Sequence, residues 1–204
     1  MSSTLDLLTI DDLVRIFQEV KTVDGAATSE HDPNFLDAAV LLLLVREEEH
    51  WSLLFTRRTD TVRDHKGQVS FPGGAREEFD VSMRETALRE TFEEIGIQPA
   101  DVSIIGQMRS LKSISSYIIT PFVGTLSWPY PISMAVDEVS RVFCIPLEWL
   151  ENPQNWEHEW IDGLPDGVRR QVLRYHAYDG EDLWGISAYF VQQLIQLLKE
   201  HTRH

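Results

Sequence analysis

Three carboxylates lie within five residues in Arg89-Glu90-Thr91-Phe92-Glu93-Glu94-Ile95-Gly96-Ile97. A helix turns roughly 100° per residue, so Glu90, Glu93 and Glu94 share one face. Leu88, Phe92 and Ile95 fall on the opposite face, which is expected to enter a core. Like charges at these spacings repel one another and destabilise an isolated helix. A cation held between them relieves that cost. Oxygen-only ligands suit Mg²⁺ or Mn²⁺, and such ions go with phosphoryl and pyrophosphoryl chemistry. The alternative for a bare E-x-x-E-E pattern is a solvated acidic face. The paired Gly73-Gly74 upstream favours the metal reading, because a glycine loop lets backbone fold against the helix start.

A second constellation lies just before those glycines. Arg57, Arg58, Arg63, His65 and Lys66 form a basic cluster in a chain whose net charge is −15. An arginine fork donates paired, charge-assisted hydrogen bonds to phosphate. The cluster therefore offers an acidic protein a way to hold a polyphosphate beside the carboxylates. A solvated loop that merely balances the acidic helix is the competing reading. The strongly negative charge argues against general nucleic-acid binding and against docking on anionic membranes.

The elements that must position these residues can be read from periodicity. Thr9 with Asp12 marks a helix start, followed by Leu13, Ile16, Phe17 and Val20 at helical spacing. Residues 22–33 are small and polar, as a loop or linker is. Residues 38–45 and 51–56 read as buried strands, 69–71 as a short strand, and 102–108, 117–126 and 139–145 as further strands. Residues 156–161 and 170–178 suggest a hairpin pair. A last helix is expected over 184–199, with Tyr189, Leu194 and Leu198 among its core residues. Strands with helices before, between and after them predict a three-layer α/β/α domain. The length of 204 residues and 43% hydrophobic content suffice for one full core. Cys144, the single cysteine, sits in an apolar strand and reads as a small core residue. No run is long enough to span a bilayer and no secretory signal is visible, so a cytoplasmic location is expected. Trp128, Trp149, Trp156, Trp160 and Trp184 are expected to pack, with stacking on a base as the alternative.

The segment 89–97 resembles the signature of the Nudix hydrolases, G-x5-E-x7-R-E-U-x-E-E-x-G-U with U aliphatic; Thr91 replaces one aliphatic residue. In that register the glycine and glutamate of the first half fall on Ala75 and Val81, so Gly74 and Asp80 each come one residue early. One extra residue before Arg89 accounts for the offset and places Asp80 as an expected cap of the helix. Leu54, Thr56, Arg58, Arg63, Gly67 and Phe71-Pro72-Gly73-Gly74 further resemble the coenzyme A pyrophosphatase branch, L-L-T-x-R-[SA]-x3-R-x3-G-x3-F-P-G-G. Trp184-Gly185-Ile186-Ser187-Ala188 is similar to that branch's tail.

The resemblance implies a Nudix-type α/β/α sandwich with a mixed sheet over 35–204, preceded by a helix and linker over 1–34, all in one globular domain. It implies metal-dependent cleavage of coenzyme A, or an acyl derivative, to 3′,5′-ADP and 4′-phosphopantetheine. Glu90, Glu93 and Glu94 would hold Mg²⁺ or Mn²⁺, and Arg89 would orient them. Arg58, Arg63 and Lys66 would meet phosphates, with Gly73 and Gly74 allowing close backbone approach. Glu138 is the candidate base, with Asp137 next. The expected partner is the small-molecule substrate, with no nucleic acid and no membrane; a homodimer stays open. Two other readings stand beside this one: hydrolysis of another nucleoside diphosphate derivative, and a non-catalytic nucleotide-sensing module.

Overall fold

Residues 38–45 form a strand because both of its faces are covered. In β1 (Leu36–Glu47), Leu42 and Leu44 join one buried cluster, while Ala39, Leu41, Leu43 and Val45 join another on the far side of the sheet. A strand buried on both faces carries an apolar run instead of an alternation. The computed structural model describes residues 3–24, 32–59, 67–162 and 168–202, without the side chains of 20–24.

β1 runs parallel to β7 (Tyr117–Leu126) from Leu36↔Tyr117 to Val45↔Leu126. On its other edge it meets β2 (His50–Arg58) only near the turn, from Leu44↔Leu53 to Glu47↔His50. Beyond that point the two strands part. β3 (Val69–Ser70) takes the freed edge of β2, and β4 (Gly73–Ala75) takes that of β1 at Ala38–Val40. The chain thus crosses the gap between β1 and β2 at Phe71-Pro72-Gly73. β5 (Ser103–Gln107) and β6 (Leu111–Lys112) pair with β7, and β8 (Val139–Pro146) pairs with the outer edge of β2. The result is an eight-stranded mixed sheet.

Helix α2 (Met83–Ile95) covers one face of the sheet through Ala87 and Ile95. The other face is covered by α1 (Ile10–Asp24), the short α3 (Leu147–Glu151) and α4 (Gly185–Thr202). This is the three-layer α/β/α sandwich. β9 (Trp156–Ile161) and β10 (Arg170–Tyr175) form a separate two-stranded ribbon whose inner strand packs toward α4. Among the described residues no helix is long and apolar enough to cross a membrane.

Two expectations for the helices need correction. α1 opens on a capping box, in which Asp12 N–H donates to Thr9 Oγ1 and Thr9 N–H to Asp12 Oδ2. It continues to Asp24, so residues 22–24 are helical; residues 25–31 and the Val20 side chain lie outside the described set. In α4, Leu194 and Leu198 are buried, but Tyr189 is exposed and faces a cleft.

Gly106 is the contact that docks α1. A Cβ there would lie 2.1 Å from Phe17 Cδ1 and 2.9 Å from its Cβ. Phe17 is fully buried against β5. Phe17→Ala is expected to cost about 3–5 kcal/mol in urea unfolding. Gly106→Ala is expected to cost about 1–3 kcal/mol in the wild type by overpacking. In a Phe17→Ala background the ring contacts are gone and the cost should fall, although the 2.9 Å contact with the residue-17 Cβ remains, so the double-mutant cycle is expected to show a favourable coupling energy.

Candidate active site

α2 is defined at both ends. Ser82 Oγ accepts from Glu85 N–H, and Glu85 reaches back to Val81 N–H, so Ser82 is the cap and Asp80 is not. Gly96 closes the helix in the left-handed region at φ +75°, donating its N–H to Phe92 O. The last carbonyls are taken by the following loop: Ser133 N–H donates to Ile95 O and Ala135 N–H to Glu94 O. Thr86, Ala87, Thr91, Glu94 and Ile95 are buried, whereas Phe92 is 43% exposed. The expected apolar face is therefore rotated. Thr91 fills the core position, its hydroxyl donating to Ala87 O, and Glu90 and Glu94 emerge along the edge of the core-facing side.

Asp80 has a different task from capping. Arg89 Nε and Nη2 donate to its two carboxylate oxygens, each at 2.9 Å. Glu77 N–H and Thr86 Oγ1 donate to the same carboxylate. The Arg89 bonds above all hold the Asp80 carboxyl well below the usual carboxylate range, and Asp80 in turn raises Arg89. Arg89 Nη2 also donates to Ala75 O, and Nη1 to Glu90 Oε1 and Glu93 Oε2. Thus the guanidinium joins β4 and Asp80 of the following loop to Glu90 and Glu93 of the helix.

Glu90 and Glu94 open into a cleft of about 1030 Å³ whose lining includes Arg58, Gly73, Gly74 and Glu138. A Cβ on Gly74 would sit 2.5 Å from the Glu90 carboxylate, and one on Gly73 would sit 2.3 Å from Ala39 O. At Gly73 only glycine lets the backbone pass, and at Gly74 a side chain would displace the Glu90 carboxylate. Glu94 Oε2 accepts from Gly73 N–H at 3.3 Å, and Glu94 Oε1 lies 3.8 Å from Arg58 Nη1. Glu138 is brought in by the loop that hangs from the end of α2, and is tied to the end of β2 because Thr59 N–H donates to Glu138 O. Asp137 is not part of the cleft lining; its carbonyl accepts from Thr59 Oγ1.

The remaining candidates separate. Glu93 is half-exposed, pairs with Arg89 and does not line the cleft. Arg57 turns away to buried Glu181 at 3.7 Å. Arg63, His65 and Lys66 lie outside the described residues. Among the described residues, the trio of ligand atoms gathered within 4.8 Å belongs to Asp6, His50 and Glu148 at the start of β2. There the buried Asp6 carboxylate accepts from Trp51 N–H and meets His50 Nδ1, which fastens the N-terminal segment to the sheet. Several cleft-lining residues carried no local signal in the sequence. Leu111 to Ile114, Gln193 and Arg170 reach the cleft only through the packing of β6, α4 and β10.

Burial pushes the Glu94 carboxyl up to about 8, against the opposing pull of Arg58 and Gly73 N–H; Glu90 and Glu138 add to the rise. Burial also raises Glu90. Two carboxylates on one wall of the cleft, Glu94 with little compensating charge among the described residues, offer the oxygen ligands that a hard divalent cation takes. Between the ordinary 4.5 and about 8, folded Glu94 keeps a proton that the unfolded chain has lost, so stability falls as pH rises through that window. Glu94→Gln removes this loss. In chelator-treated protein the variant is expected to gain stability over wild type as pH rises from 4.5 to about 8. Thermal unfolding across that range, with and without Mg²⁺, checks it; saturating Mg²⁺ should reverse the sign.

Comparison with known proteins places this geometry. The NUDIX domain family matches residues 35–163. The chain is 35% identical over 187 residues to a protein of Escherichia coli O7:K1 named Uncharacterized Nudix hydrolase NudL, covering 92% of this chain and 93% of that one. A MutT/nudix family protein from Enterococcus faecalis shares the fold with a TM-score of 0.56 and 12% identity, over 94% of this chain and 75% of that one. The NUDIX domain of Shewanella oneidensis NrtR, solved with ADP ribose, has a TM-score of 0.50 and 18% identity, over 84% of this chain and 93% of that one. With the family covering more than half of its length and a relative matched almost end to end, the chain belongs to the NUDIX domain family and is a Nudix-type pyrophosphohydrolase.

Proposed function

We propose that this pyrophosphohydrolase cleaves coenzyme A, or an acyl derivative of it, to 3′,5′-ADP and 4′-phosphopantetheine. The observation that carries the reading is Arg58. It comes from the upstream L-F-T-x-R segment, yet it lines the same cleft as Glu90 and Glu94. Its Nε is buried and makes no hydrogen bond to the described residues. A buried donor left unmet costs about 1–3 kcal/mol, and a substrate phosphate oxygen removes that cost.

In this reading Glu90 and Glu94, with Glu93 at their margin, hold Mg²⁺ or Mn²⁺. The ion supplies charge neutralisation and Lewis acidity at the pyrophosphate oxygens. Arg89 keeps the helix carboxylates and the β4 loop in fixed relation. Gly73 and Gly74 let the diphosphate approach the backbone. Arg58, with Arg63 and Lys66, grips its anionic oxygens. Glu138 takes a proton from the attacking water. The new P–O bond forms at one phosphorus, the bridging P–O bond breaks, and the bridging oxygen leaves on the other phosphate. One water is consumed and two phosphate monoesters result. The partner is a small molecule, and a cytoplasmic setting goes with the reading.

The test is a product assay on a nucleotide panel with Mg²⁺ or Mn²⁺. Coenzyme A is expected to be turned over faster than dephospho-coenzyme A, ADP-ribose or a nucleotide sugar. Glu90→Gln and Glu94→Gln are expected to abolish turnover in folded protein. Arg58→Ala is expected to lower kcat/KM by roughly one to two decades, the usual worth of a charge-assisted hydrogen bond. Faster turnover of ADP-ribose or a nucleotide sugar would move the assignment to another nucleoside diphosphate derivative.

A further inference from the structure

The cleft that holds Glu90 and Glu94 is larger than a pyrophosphate needs, and part of its lining is aromatic. Trp184 lies where β10 passes into α4. Its backbone bridges Arg174, and Gly185 at φ +66° turns the chain into the helix. The Arg174 guanidinium stands 5.2 Å from the centre of the indole ring. That guanidinium is itself clamped by Glu159 and Asp182, each at 2.6 Å. Trp184 lines the cleft, and the clamped Arg174 guanidinium holds its ring.

The start of α4 completes this wall. Ile186, Tyr189 and Gln193 follow one helical stripe and all line the cleft. This explains why Tyr189 is exposed on a helix whose neighbouring residues are buried. A rigid indole, a second ring and a side-chain amide are the parts of a nucleobase site. The flat surface stacks on the base, and a glutamine can give and take a hydrogen bond along one adenine edge. The β6–β7 side of the cleft is different, with aliphatic Leu111, Ile114 and Ile119. A flexible pantetheine arm gains nothing from a clamped ring and suits that aliphatic side.

We infer that Trp184, fixed by the Glu159–Arg174–Asp182 clamp, is the stacking platform for the substrate's purine base, with Gln193 reading the base edge. The inference deepens the proposed reading of the same cleft, and its test does not depend on coenzyme A turnover. Binding of two separate probes to the full chain is measured by calorimetry: 3′,5′-ADP and 4′-phosphopantetheine. Trp184→Ala is expected to weaken 3′,5′-ADP by roughly tenfold or more and to leave 4′-phosphopantetheine unchanged. Trp184→Phe is expected to restore most of the loss. Gln193→Ala, a change on the helix surface, is expected to show the same selectivity should Trp184→Ala fail to fold. The inference is overturned if neither Gln193→Ala nor a folded Trp184 variant weakens 3′,5′-ADP selectively. It is equally overturned if the loss falls on 4′-phosphopantetheine, or if wild type does not bind 3′,5′-ADP. If coenzyme A proves not to be hydrolysed while 3′,5′-ADP still depends on Trp184, the substrate reading fails and the base subsite stands.

Discussion

The Arg89 guanidinium has five N–H groups and donates five hydrogen bonds, two to Asp80 and one each to Ala75 O, Glu90 and Glu93. No donor is left to turn elsewhere. Because its partners come from β4, from the loop after it and from two turns of α2, this one side chain sets how the glycine segment stands against the helix. Thr86 and Glu77 N–H fix the far side of Asp80, so the anchor itself cannot swing. An aspartate is shorter than the glutamate of the family signature and stands one residue earlier in the signature's register. The loop compensates by curling back on itself, with Asp80 N–H donating to Glu77 O and Arg76 to Asp80 O.

The bracket leaves the helix carboxylates electrostatically unbalanced. Arg89 partly compensates Glu90, and Glu93 lies toward solvent, but Glu94 is buried, and among the described residues Arg58 at 3.8 Å and Gly73 N–H are what compensates it. Burying charge this way is unfavourable unless something else supplies positive charge. The divergence of β1 from β2 creates the space in which that imbalance is exposed, and the two glycines keep side chains out of it. In the proposed assignment a divalent ion and the substrate's phosphates settle the charge together, with Arg58 passing from a carboxylate to a phosphate.

Much of this was legible in the sequence, for physical reasons that differ by element. The parallel strand at 117–126 and the doubly buried strand around 38–45 declare themselves through apolar content, and the acidic helix through its spacing. The glycine pair was legible because close backbone approach leaves few alternatives. Other features depend on contacts that the local pattern does not encode. β4 is three small residues and becomes a strand only because β1 leaves an edge free. Phe92 has core spacing, yet the helix is rotated because Thr91 satisfies its hydroxyl on Ala87 O and can be buried. Asp80 resembles a cap, but Ser82 two residues on is better placed, which frees Asp80 for Arg89. Tyr189 has core spacing and faces a cleft that only the packing of β10 and α4 reveals.

In the proposed assignment the Asp80–Arg89 bracket holds the helix carboxylates ready for a divalent ion. Mn²⁺ affinity, counted by electron paramagnetic resonance in wild type and Asp80→Asn at equal far-UV circular dichroism, tests it most directly. Binding is expected to be weaker by about ten- to a hundredfold in the variant, the usual effect of losing an outer partner of a metal site. An affinity within about twofold of wild type, far short of that loss, would contradict it and leave Arg89 as a strut for the fold alone.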